Sequence, residues 1–151
     1  MKIAGHPLHP LMVHFPTALF PMNLVLGILA YTSGNPVFSQ AAFFCLAGGA
    51  GMGILTAVTG LLDLFHISKS NKKAVATVIY HAGINVPVIL IYVVLAYKEW
   101  KLYPDIPVPL AGNLVFKGVL VLILFIGNYF GGQLIYKFHA GINMNNERNQ
   151  I

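Results

Sequence analysis

Val75-Ala-Thr-Val-Ile-Tyr-His81-Ala-Gly-Ile-Asn85-Val-Pro-Val-Ile-Leu-Ile-Tyr92-Val-Val-Leu-Ala-Tyr97 runs without a single Asp, Glu, Lys or Arg. The hydrocarbon core of a bilayer, about 30 Å thick, is crossed by a helix of roughly 20 apolar residues. This stretch is long enough. Its polar groups are not scattered: His81, Asn85 and Tyr92 fall with Val88 on one helical stripe. Lipid offers no hydrogen bonds, so a polar stripe on a spanning helix must face other protein. The segment therefore reads as one helix of a membrane bundle.

Three more stretches qualify on either side of it. The first span is expected from about Leu11 to Tyr31, the second from about Phe38 to Phe65, and the last from about Leu110 to Phe138. Polar or Pro-rich loops separate them: Ser33 to Pro36, Ser68 to Lys73, and Lys98 to Pro109. Short connections make sequential helices antiparallel neighbours. The expected fold is all-α, an integral-membrane four-helix bundle of up-down-up-down order. It takes up residues 1–142, with a His/Pro-rich segment at 1–16, and a polar tail at 143–151 reads as disordered.

Composition agrees. Hydrophobic residues reach 57% of the 151 and charged residues only 9%, too few charges to cover the surface of a water-soluble domain. The first apolar run is long and Pro-interrupted, with no small-residue cleavage site after it, so a cleavable signal peptide is not expected. The lone Cys45 allows no internal disulfide. The net charge of +5 sits at segment ends, where it suits anionic lipid headgroups, and no basic-aromatic surface for nucleic acid is visible.

Four alternating spans put the N-terminus, the second loop and the C-terminus on side one. Lys2, Lys69, Lys72, Lys73, Lys137 and Arg148 lie there, against Lys98, Lys101 and Lys117 on side two. That bias makes side one, with both termini, cytoplasmic in a multi-pass protein of the cell membrane. Tyr97, Trp100 and Tyr103 are expected as an aromatic belt on side two.

All six histidines, His6, His9, His14, His66, His81 and His139, fall on side one. Thr56, Thr59, Asp63 and His66 share a face of the second span, and Asn128, Gly132, Ile135 and His139 share one of the fourth. The N-terminal His6-Pro-Leu-His9-Pro is expected as a polyproline turn aiming both histidines one way, with Pro10 or Pro16 opening the first helix at its first position and Pro21 kinking it. His66 and His139 are explained as cations at helix C-termini, whereas His14 and His81 lie near N-termini, where the dipole offers no such reason. These two are the preferred ligands. The spacings Gly49/Gly53 and Gly127/Gly131 allow close helix packing, room for a flat cofactor, or a partner helix and thus an oligomer.

Taken together, these residues resemble a family of prokaryotic four-helix membrane proteins known as domain of unknown function 2231. The resemblance rests on His6-Pro-Leu-His9-Pro with Val13-His14-Phe15-Pro16, on Thr59-Gly60-Leu-Leu-Asp63, on His81 with Asn85, and on Gly131-Gly132-Gln-Leu-Ile-Tyr136 ahead of Gly141. It covers nearly the whole chain and places no family histidine at His139. Members fused to Rieske iron–sulfur or cytochrome c domains imply membrane redox chemistry with partners of that kind. The family has no established activity.

Three functions follow as expectations. The first is a b-type haem protein in which His14 and His81 are diagonal axial ligands, the glycines seat the macrocycle, and Asn85 or Asp63 orients an imidazole. The second is a non-haem site for zinc, copper or iron built from His6, His9, His14, His81 and Asp63. The third is a cofactor-free membrane anchor or small transporter subunit. No phosphate-binding loop, nucleophile elbow or activated cysteine is present, so the chain is not expected to be an enzyme on its own.

Overall fold

In the computed structural model the described residues are 2–3, 6–64 and 71–138. His66, His139 and the expected tail at 143–151 lie outside them, and His6 enters only through its backbone. A two-residue antiparallel pair, β1 (Lys2–Ile3) and β2 (His6–Pro7), leads into a short helix α1 (Leu8–Met12). Four long helices follow: α2 (His14–Ser33), α3 (Pro36–Leu64), α4 (Lys72–Trp100) and α5 (Ala111–Tyr136). All four are long and apolar enough to cross a membrane, α1 and α2 counting as one span.

The polyproline turn is not formed. Pro10 and Pro16 each occupy the third position of a helix, α1 and α2, rather than the first. The first turn tolerates them because its N–H groups have no partner inside the helix in any case. Pro21 lies within α2 without ending it. At the other end, Gly34 takes φ of 67°, a left-handed conformation open to a residue without Cβ, and its N–H caps Ala30 O at 2.9 Å.

Each helix packs on its sequence neighbour, and α5 closes back on α2. The side-chain pairings run in opposite senses along the partners. On α3, Gly49 takes Phe20 and Ala42 takes Asn23. On α5, Gly131 takes His81 while Lys117 takes Glu99, and between α2 and α5 Thr17 meets Asn128 while Gly27 meets Leu114. The core is Phe20, Leu46, Val88, Ile89, Tyr92, Leu120 and Leu124. Phe20 and Tyr92, both fully buried, stack with ring centres 3.8 Å apart and planes within 5°. Large apolar side chains such as Leu61, Leu90, Leu122 and Ile126 point outward instead of inward. Helices surrounded by lipid have no reason to hide them, and they associate by close packing and hydrogen bonds.

The glycine spacings are used for that packing, by side chains entering notches. An added Cβ on Gly49 would lie 2.7 Å from the Phe20 ring, and one on Gly53 would lie 3.1 Å from Ile89. Asn23 ties α2 to α3 through Nδ2 donating to Ala42 O at 2.8 Å.

At the end of the bundle read as side two, Tyr97, Trp100 and Tyr103 are all exposed and Lys101 lies over the Tyr97 ring. Lys117 falls within the last expected span. It lies within α5, is 5% exposed, and its Nζ donates to Glu99 Oε1 at 2.9 Å. The long stem lets an ammonium from inside the helix reach a carboxylate near the end of α4.

Candidate histidine site

The structure joins His9 and His81, not His14 and His81. α1 ends at Met12 and a turn at Val13 precedes α2, so the five-residue helix lays His9 against α3 while His14 stays exposed at the start of α2. His9 and His81 meet with ring centres 6.0 Å apart and planes at 85°.

Each ring is seated by the same device. On α3, Nδ1 of His9 lies 2.9 Å from Thr56 O, and an added Cβ on Gly60 would come within 2.8 Å of the His9 ring. On α5, Nδ1 of His81 lies 2.9 Å from Gly127 O, and an added Cβ on Gly131 would come within 2.8 Å of the His81 ring. In both seats the glycine stands four residues after the carbonyl. A helical carbonyl points toward residue i+4 and keeps a second lone pair after its own helix bond. A glycine at i+4 removes the Cβ that would screen that lone pair, so an imidazole can slide in and donate.

A carbonyl only accepts, so each of these bonds requires the proton on Nδ1 and leaves the lone pair on Nε2. That is the tautomer of a metal-binding imidazole whose other nitrogen is tied to the protein. Among the described residues no third His, Cys, Asp or Glu completes a cluster around the pair. Asp63 stands three residues beyond Gly60 on α3, half-buried and engaged in an interaction.

His81 carries a second claim on Nδ1. Asn85 Nδ2 lies 3.0 Å from it and also donates to His81 O at 3.1 Å. Asn85 is buried against Gly127, where a Cβ would collide with its carboxamide, and its Oδ1 has no partner among the described residues.

The stripes read from sequence sort themselves out here. His81, Asn85, Val88 and Tyr92 do face the interior. Thr56 and Thr59 are buried but spend their hydroxyls on Met52 O, Leu55 O and Thr56 O of their own helix, and the backbone of Thr56 serves the site instead. On α5 the working positions are Gly127 and Gly131, while none of the described residues comes within 4 Å of a Cβ added at Gly132. Asn128 Nδ2 donates to Thr17 Oγ1 at 3.0 Å, linking α5 to α2 beside the site.

The room foreseen for a haem is filled. Phe20, Ile89, His9, Asn85 and His81 occupy the notches at Gly49, Gly53, Gly60, Gly127 and Gly131. His14 is exposed at the start of α2, whereas His81 is half-buried against Gly131.

A four-helix membrane domain with a pair of glycine-seated histidines near one end is the class that fold and site define. The chain belongs to the family described as predicted membrane protein, domain of unknown function 2231 (DUF2231), whose model matches residues 5–144. No curated protein and no solved structure matches it.

Proposed function

We propose that this integral membrane protein holds a transition-metal ion between Nε2 of His9 and Nε2 of His81 near side one. The observation that carries this reading is the pair itself, with ring centres 6.0 Å apart and a backbone carbonyl at Nδ1 of each ring. Two imidazoles sharing one ion at about 2 Å per bond set their ring centres roughly 5–6 Å apart, so the observed spacing suits a wide N–metal–N angle. Imidazole nitrogen favours zinc, copper or iron. The remaining positions are open to water or to a ligand from a partner, as in a site that exchanges or reacts rather than one that only braces the fold.

The chain acts in this reading as a non-enzymatic membrane subunit. Six Lys/Arg on side one against three on side two support a cytoplasmic side one at the cell membrane. Redox partners of iron–sulfur or cytochrome c type would then meet the metal from that face.

A second reading has its own observation. The seats at Gly60 and Gly131 make each imidazole a peg, locking α1 to α3 and α4 to α5. In a cofactor-free subunit this would suffice. Titration of detergent-purified protein with zinc and with copper separates the two. One ion per chain, weakened at least tenfold by His9→Ala or by His81→Ala, is the expected result. No binding, or binding indifferent to both substitutions, overturns the metal reading and leaves the peg. A visible haem absorption lost in His9→Ala would replace the bare ion with the macrocycle.

A further inference from the structure

His81 and His9 are not equivalent. Nδ1 of His9 faces one partner, Thr56 O at 2.9 Å, and the proton must lie on that nitrogen. Nδ1 of His81 faces two partners with opposite demands. Gly127 O at 2.9 Å accepts and requires a proton on Nδ1, whereas Asn85 Nδ2 at 3.0 Å donates and requires a lone pair there. Both bonds cannot exist at once.

With the proton on Nε2, Asn85 uses both N–H groups, one on His81 Nδ1 and one on His81 O. Gly127 O then faces a lone pair at hydrogen-bond distance, and Asn85 Oδ1 stays buried without a partner. With the proton on Nδ1, Gly127 O is satisfied, but the Asn85 amide must turn its oxygen toward the ring and give up the bond to His81 O. Each arrangement leaves buried polar groups unmatched, Gly127 O and Asn85 Oδ1 in the first and the turned Asn85 N–H groups in the second, and each such group costs about 1–3 kcal/mol. Near-balance between two states is what lets a ligand choose.

We infer that Asn85 competes with Gly127 for Nδ1 of His81 and thereby sets how often Nε2 is open to a metal. This rests on the metal reading for its consequence, though not for the competition itself. A metal on Nε2 requires the Nδ1–H form, so binding selects that tautomer and turns the Asn85 carboxamide with it. Asn85 is thus a positioning residue that lowers affinity in the resting protein. His9 holds its Nε2 permanently open, and His81 acts as the gated half of the pair.

The sign of the effect sets this apart from a packing role. Asn85→Leu keeps the shape, removes the orphaned oxygen and leaves Gly127 O as the only claim on Nδ1. The affinity of a site whose competent state is partly populated rises in proportion once that state is made dominant. We therefore expect Asn85→Leu to bind zinc about two- to tenfold tighter, where loss of a merely structural residue would weaken binding.

The direct measurement is nitrogen NMR of protein labelled with ¹⁵N-histidine in bicelles, without metal. Wild type is expected to show His81 with a proton on Nε2 in a substantial fraction, and His9 wholly protonated on Nδ1 as an internal reference. In Asn85→Leu, or in Asn85→Ala should the leucine variant fail to fold, His81 is expected wholly in the Nδ1–H form. A His81 already wholly Nδ1–H in the metal-free wild type overturns the inference, as does a tautomer mixture unchanged by both substitutions. The two readings fail separately. Mixed tautomers without zinc binding defeat the metal and keep the competition, and zinc binding with a single tautomer does the reverse.

Discussion

The imidazole of His9 meets that of His81 edge to face across the end of the bundle, 6.0 Å between centres. Apart from Asn85 of α4, the polar surroundings of this pair are supplied by neither α1 nor α4. They come from the backbone carbonyls of Thr56 and Gly127, exposed by glycines one helical turn further on. The pair is therefore built by α3 and α5 as much as by the helices that carry it.

The seats are testable by filling them. Gly60→Ala and Gly131→Ala each place a methyl well inside van der Waals contact with a ring, at 2.8 Å. Overpacking of this kind costs roughly 1–3 kcal/mol. Both variants should unfold at lower temperature in detergent and bind zinc at least tenfold more weakly. Gly51→Ala, with nothing within 4 Å, should match wild type in both measurements.

His14 and His9 should behave oppositely. His14→Ala removes an exposed side chain and is expected to leave thermal stability and metal affinity unchanged. His9→Ala removes a ring that fills the Gly60 notch and bonds to Thr56 O. Parallel zinc titrations of the two variants decide the matter. A large loss in His14→Ala alone would restore the pairing expected from sequence.

What was legible in the sequence follows from what is local. Long apolar runs with few charges announce α2 to α5 within a few residues of their ends, and the stripe through His81, Asn85 and Tyr92 places one wall of the site. The choice between His9 and His14 was not legible, because it depends on a single turn at Val13 that separates α1 from α2. Nor was the role of Gly60 and Gly131. A glycine four residues after a carbonyl carries no mark of which ring will use it until the partner helix is in place. The partner of Lys117 was not legible for the same reason: Glu99 lies 18 residues away and arrives only when α5 folds back on α4.

The Lys117–Glu99 pair should matter to stability. Lys117 is buried while Glu99 keeps about a fifth of its surface, 22%, so solvent softens the penalty of breaking the pair. Removing one partner from a buried pair leaves an uncompensated charge. Lys117→Met and Glu99→Gln are each expected to cost roughly 1–3 kcal/mol, read from unfolding in mixed micelles. The double variant should recover most of that loss. If each single variant costs as little as the double, the pair is no clasp.

The link between Thr17 and Asn128 offers the sharpest energetic comparison beside the site. Thr17 Oγ1 accepts from Asn128 Nδ2 at 3.0 Å and donates to Val13 O at 2.7 Å, so one hydroxyl joins α5 to the turn before α2. Interhelical side-chain bonds in membranes couple by about 0.6 kcal/mol on average, because the separated helices find other partners. A double-mutant cycle of Thr17→Val and Asn128→Ala should give a coupling of about 0.5–1.5 kcal/mol, the upper part reflecting the shared hydroxyl. The same turn sets the position of α1, so Thr17→Val should also weaken zinc binding a few-fold although Thr17 touches neither histidine seat. A coupling near zero with unchanged zinc affinity would mean that α1 is held by the Gly60 seat alone.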